Sequence, residues 1–181
     1  MKRFLMTAVM LVVLTAVALP MFAATDTGTI DVQILIPNRV GIRINNAGPI
    51  IFDLTSATLP TSFPGYFLPT SAETEISMDL FCNATNGFNL DVTASGDFSA
   101  DITANQLFFA PSTTPISADG LPAVAPWTAY SSSASVSVLA GEPRLTAWVA
   151  YDQAIEFMLE DTDPALDPIQ TITLTYTITS L

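Results

Sequence analysis

The sequence predicts an all-β chain, an antiparallel β-sandwich of the immunoglobulin-like or jelly-roll kind. Three observations point there. Apolar residues recur with period two, as in Ile30, Val32, Ile34 and Ile36 or Ile172, Leu174, Tyr176 and Ile178, the spacing that lines one face of a strand. These runs are short and punctuated by Gly, Pro and Asn, residues that end strands and build turns. Beyond the first 24 residues, only Tyr151 to Leu159 is open to a helical reading, and there Ile155, Phe157 and Leu159 fit a strand equally well.

The chain opens on Met1-Lys2-Arg3, an apolar run from Phe4 to Val17, then Pro20 and small residues ending Phe22-Ala23-Ala24. That is the layout of a secretory signal peptide, with cleavage after Ala23 or Ala24. An uncleaved anchor is the alternative, since about 20 apolar residues span a bilayer. Cleavage is the expectation because of the proline and the alanines. It leaves residues 25–181 as a single domain with no membrane span, secreted or held at the cell surface.

The first run, Thr29 to Ile36, sets four aliphatics against Thr29, Asp31 and Gln33 before Pro37-Asn38 ends it. Val40, Ile42 and Ile44 begin a second run, closed by Asn45 to Gly48, and Ile50 to Leu54 is a short apolar strand. Ile76, Met78, Leu80 and Cys82 alternate with Glu75, Ser77, Asp79 and Phe81. A turn at Asn83 to Gly87 leads to Phe88, Leu90 and Val92, which reads as a hairpin. Leu107 to Ala110, Ala134 to Ala140 and Leu145 to Tyr151 follow. The last run sets Ile172 to Ile178 against five threonines, a composition that suits a half-solvated strand. An outer-membrane barrel also alternates, but its strands need about ten residues each and aromatic girdles. Most runs here are shorter.

Two segments resist the strand pattern. Thr55 to Ser71 carries Leu-Pro-Thr-Ser twice around Phe63, Tyr66 and Phe67, and Pro111 to Pro126 holds four prolines ahead of Trp127. Both read as extended surface loops. Phe63, Tyr66, Phe67 and Trp127 are therefore candidate contacts for a surface glycan or protein, unless the loop aromatics fold back to cap the sandwich.

Charge and residue types exclude much chemistry. After signal removal there is no lysine, and Arg39, Arg43 and Arg144 stand against 17 carboxylates, a net charge of −14. Such a chain does not bind nucleic acid through phosphate neutralisation. The absence of histidine removes Ser-His-Asp and Cys-His nucleophiles and histidine-ligated metals. Cys82 is the sole cysteine, so no internal disulfide forms, and its phase with Ile76, Met78 and Leu80 marks it as a core side chain. Asp26-Thr27-Gly28 matches the aspartic-protease tripeptide, but no strand precedes it and no second copy supplies the partner carboxylate. Paired glycosidase carboxylates are equally unsupported among Glu73, Glu75, Glu142, Glu156 and Glu160. The chain is thus expected to be no enzyme and to need no cofactor. Asp161, Asp163 and Asp167 are candidate calcium ligands, although Ala165 and Leu166 break the EF-hand pattern. A solvated acidic turn is the plainer reading.

The overall plan is a signal peptide, a Thr/Gly-rich alternating strand, Pro37, a second strand reaching Gly48-Pro49-Ile50-Ile51-Phe52-Asp53, and a closing threonine ladder ending at Leu181. This plan resembles secreted pilus and coat subunits, the spore coat protein U-like and chaperone–usher pilin sandwiches. The resemblance implies a non-enzymatic subunit of a homo-oligomer or filament. Those subunits often carry a disulfide, which Cys82 alone cannot make, and an aromatic near the C-terminus, where only Tyr176 stands. For such a subunit, Thr29 to Pro37 reads as a donor strand filling a neighbour's groove, with Ile30, Val32, Ile34 and Ile36 as subunit contacts. Pairing within its own sandwich is the competing expectation. A surface binding module is the alternative function.

Overall fold

The computed structural model of the chain describes residues 31–112 and 127–181. The chain divides into two units between Ile36 and Pro37. Among the described residues nine strands form two antiparallel sheets packed as a sandwich. In order they are β1 (Val40–Ile44), β2 (Gly65–Phe67), β3 (Glu75–Cys82), β4 (Phe88–Ala94), β5 (Leu107–Pro111), β6 (Thr128–Ala129), β7 (Val136–Glu142), β8 (Val149–Leu159) and β9 (Leu174–Ser180).

The larger sheet runs β1-β3-β8-β5-β6, and β2 also pairs with β8. β8 is the 11-residue spine of this sheet. Its first half pairs with β3 (Leu80 opposite Val149, Glu75 opposite Ala154), and its end pairs with β2 (Phe67 opposite Phe157). β5 lies along its other side. The helical reading of Tyr151 to Leu159 therefore gives way to the strand reading. The smaller sheet is β7-β4-β9.

Alternation explains the interior. Ile76, Met78, Leu80 and Cys82 from β3 join Phe88, Leu90 and Val92 from β4 in one buried cluster, completed by Leu107, Phe109, Tyr130, Ile155 and Phe157. Cys82 is fully buried in it, its Sγ 3.5 Å from the Gly87 carbonyl oxygen. Tyr130 is also fully buried. Its hydroxyl donates to Gln153 Oε1 at 3.2 Å and meets the Tyr176 hydroxyl at 3.2 Å. Burial holds both phenols well above their ordinary pKa, so they bridge the sheets as neutral groups.

Three expectations change. The β3–β4 turn is no hairpin: β3 pairs with β1 and β8, whereas β4 pairs with β7 and β9. Both strands carry a fully apolar face, and both faces are buried only if the chain crosses from one sheet to the other. The run Ile50 to Leu54 forms no strand. Ser71 and Thr70 hydroxyls take the Ile51 and Asp53 N–H groups at 3.0 and 2.9 Å, and Thr70 N–H donates to Ile51 at 2.7 Å. Side-chain oxygens thus replace part of a ladder, while Ile50, Phe52 and Leu54 still pack on the core. Third, the loop Thr55 to Ser71 contributes β2 to the larger sheet. Gly65 makes this possible, since a Cβ there would stand 2.5 Å from the Pro60 ring.

Asp97 ties down the segment after β4. Its Oδ1 accepts from the Ala104 N–H and the Ser132 hydroxyl, both at 2.9 Å. The backbone bond first and the hydroxyl second hold its carboxyl below the ordinary value of 3.8. A depressed folded pKa means that the tie is fully present above pH 3.8 and is lost as pH falls through the folded value. Carbon-detected titration should accordingly place the Asp97 midpoint below 3.8. In Ala104→Pro, which removes the first donor, it should move up.

Candidate functional site

The described residues leave two sheet edges beside one another with the core showing between them. β1 ends the larger sheet and β9 ends the smaller. Their Cα atoms approach within 8 Å, with no hydrogen-bonded ladder between the two strands.

The direction of each backbone group follows from the registers. On β9, Ser95 N–H donates to Thr173 and Leu181 N–H donates to Gly87. The odd-numbered residues of β9 therefore spend their N–H and C=O on β4, and alternate residues of an antiparallel strand face the opposite side. Leu174, Tyr176, Ile178 and Ser180 thus direct theirs off the free edge. On β1, Asn45 N–H donates to Ser77, and Asn83 N–H donates to Arg39. By the same alternation Val40, Ile42 and Ile44 present the free groups of that edge.

The residues with free backbone groups are also the ones whose side chains face the interior. Val40, Ile42 and Ile44 stand opposite the buried Cys82, Leu80 and Met78. Leu174, Tyr176 and Ile178 stand opposite Ala94, Val92 and Leu90. The β3 and β4 members of these pairs are buried, whereas the edge members are only half covered. Val40 is 40% exposed and Ile44 52%, and Ile172, Leu174, Tyr176 and Ile178 are all half-buried. The core is closed at the sandwich centre and open along β1 and β9.

β9 lacks the usual protection of a free edge. From Thr171 to Leu181 there is no charged residue, proline or glycine, and its pairing with β4 is regular. Exposed edges normally carry Lys, Pro or a bulge to prevent strand addition. Of the other edges, β1 carries Arg43 behind Pro37 and Arg39, β7 pairs irregularly with β4 and ends in Gly141-Glu142, and β2 and β6 are only three and two residues long.

The residues singled out from sequence lie as follows. Ile30 and Asp26-Thr27-Gly28 fall outside the described residues. Residues 31–36 form no strand, and Val32, Ile34 and Ile36 are 77, 80 and 71% exposed. Phe63 is exposed. Tyr66 and Phe67 belong to β2, with Tyr66 packed edge-on against Phe108 at 6.1 Å. Burial, then the nearby Glu156 and Glu160, raises the Tyr66 phenol pKa. Trp127 is half-buried, its Nε1 without a hydrogen-bond partner among the described residues. Asp163 Oδ2 accepts from the Glu160 N–H and from Gln106 Nε2, each at 2.7 Å, so it caps a turn. Asp161 and Asp167 are not gathered around it. Among the described residues no group of three or more acidic or Cys side chains is placed to hold a metal.

Sequence reasoning singled out Ile30 to Ile36 but not the edges at β1 and β9. The available signal was the charge-free, proline-free stretch from Thr171 to Leu181. No family model, curated protein or solved structure matches this chain.

Proposed function

We propose that this chain is a non-enzymatic structural subunit of an extracellular filament or surface coat, assembled by β-strand donation. Residues 30–36 of one copy enter the opening between β1 and β9 of the next. The observation that carries this reading is the unprotected β9 edge, whose free backbone groups and half-covered aliphatics belong to the same residues. A strand needs just those two things from its acceptor, a ladder and a row of side-chain pockets. Val32, Ile34 and Ile36, exposed in the free chain, have the period-two spacing to fill them.

Burying four aliphatic side chains at roughly 1.5–3 kcal/mol each recovers most of the cost of ordering about seven residues at about 1–2 kcal/mol each. The new ladder and the covered rows on β1 and β9 add to that. A full strand between two others needs about 9.6 Å, more than the 8 Å within which β1 and β9 Cα atoms approach, so the edges move apart to admit one. A binding module built on Phe63, Tyr66, Phe67 and Trp127 has less support, because Tyr66 and Phe67 already serve the larger sheet.

The test is light scattering after size-exclusion chromatography on residues 25–181 beside a chain starting at Pro37. The longer chain is expected to form large assemblies and the shorter to stay monomeric and folded. A longer chain that remains monomeric at high concentration sinks the proposal.

A further inference from the structure

Association of copies carrying 17 carboxylates and three arginines each works against net repulsion, so a local attraction at the docking edge matters. Two of the three arginines stand at the β1 side of the opening. Arg39 precedes β1 and Arg43 lies within it, both exposed. Neither forms an ion pair among the described residues. With Val40, Ile42 and Ile44 facing the interior, Arg39, Gly41 and Arg43 form the outward row. The Arg43 guanidinium lies 3.8 Å from the Trp148 ring centroid. Trp148 also spans Gly41, where an added Cβ would stand 2.7 Å from its ring. Stacking orients the guanidinium plane and leaves its in-plane N–H groups able to meet a carboxylate.

The incoming segment has one charge to offer. From Thr27 to Ile36 only Asp31 is ionisable, and it is exposed. If Ile30, Val32, Ile34 and Ile36 point into the opening, Asp31, Gln33 and Leu35 form the outward row beside that of β1. We propose that Asp31 of the incoming copy pairs with an arginine on β1 of the receiving copy and so sets the register of the added strand. This rests on the strand-donation reading above.

Register arithmetic restricts the choice. Antiparallel to β1, two alignments set three aliphatics opposite Val40, Ile42 and Ile44, and one of them places Ile34 opposite Val40, Val32 opposite Ile42 and Ile30 opposite Ile44. Asp31 then meets Arg43, Gln33 meets Gly41, and Leu35 lies along the Arg39 stem. Parallel to β1, the corresponding alignment sets Val32, Ile34 and Ile36 beside Val40, Ile42 and Ile44, and Asp31 meets Arg39. Side-chain alternation permits slips only in steps of two. In each direction the other three-pair alignment lies one such step away and moves Asp31 to Gly41 or off the strand. Of the two in each direction only one brings the sole carboxylate to an arginine, so the pairing selects the register, and the arginine that responds reveals the strand's direction.

The experiment measures initial assembly rates of residues 25–181 by light scattering at low ionic strength. The variants are Asp31→Arg, Arg39→Glu, Arg43→Glu and the two doubles with Asp31→Arg. Net charge alone predicts that Asp31→Arg assembles faster, since it makes an acidic chain less acidic. Local pairing predicts the opposite sign. Asp31→Arg should assemble about tenfold slower, one of the two doubles should return to within about threefold of the parent, and the differences should shrink near 1 M salt, where screening reaches about 3 Å. Because residue 31 lies outside the sandwich unit, thermal unfolding of Asp31→Arg should match the parent. An Asp31→Arg chain as fast as the parent or faster overturns the pairing, as does restoration by neither double. Failure of strand donation itself reads out separately, as equal behaviour of the 25–181 and 37–181 chains.

Discussion

A proline at Ile178 is expected to leave the sandwich folded and to stop assembly, while a proline one residue earlier, at Thr177, unfolds it. Thr177 stands opposite Asp91 in the β4–β9 register, and the bonds at Ser95–Thr173 and Leu181–Gly87 place its N–H toward β4. Proline there deletes a ladder bond in the middle of the smaller sheet and strands an Asp91 carbonyl, at about 1–3 kcal/mol before steric conflict is added. The Ile178 N–H points off the free edge, a position at which edge strands tolerate proline. The folded domain loses only part of a half-buried side chain, about 1 kcal/mol. An added strand loses a ladder partner at the centre of its docking site. Thermal melts by circular dichroism and light scattering on both variants read the two effects separately. Wild-type assembly by a folded Ile178→Pro chain would remove β9 from the docking site.

The second large effect is at Gly87, the corner where the chain leaves one sheet for the other. Its φ is +91°, a conformation that L side chains rarely adopt, and an added Cβ would stand 1.9 Å from the Glu142 carbonyl oxygen. That oxygen is backbone at the end of β7, where Glu142 is the cross-strand partner of Phe88, so it cannot swing aside. The Gly87 carbonyl also receives the Leu181 N–H at 2.9 Å, which ties the end of β9 to the same corner. Gly87→Ala is expected to cost about 3–5 kcal/mol in urea denaturation, combining left-handed strain with a displaced strand end. Gly141 supplies the control. Its φ is +66°, but a Cβ there meets nothing within 4 Å, so Gly141→Ala should lose only about 1–2 kcal/mol. Equal losses at the two sites would mean that the corner yields and that the close approach to Glu142 has no energetic consequence.

Much of the fold was legible because alternation is a local property. Met78, Leu80 and Cys82, or Leu174, Tyr176 and Ile178, announce which side of a strand is apolar, and the structure turns those sides inward. Alternation carries no information about the neighbour. It could not distinguish a hairpin from a corner after Cys82, because a five-residue turn serves either. Nor could it exclude a strand at Ile50 to Leu54, where the hydroxyls of Thr70 and Ser71, about twenty residues away, take the place of a ladder partner. The aromatic loop residues Tyr66 and Phe67 could be read either as surface contacts or as groups folded back on the sandwich, and only a three-residue ladder with β8 draws them into the sheet.

The candidate site divides in the same way. The threonine and aliphatic ladder from Thr171 to Leu181, free of charge and proline, was visible in the sequence, as were the four aliphatics from Ile30 to Ile36. The sequence by itself determined the inward faces of the long strands, the acidic balance and the absence of histidine chemistry, since each depends on residue type and spacing alone. Only the tertiary structure decided that β1 and β9 end their sheets side by side, with their core-facing side chains half covered. Edges are a consequence of pairing, and pairing is set by which apolar faces must meet across the whole chain.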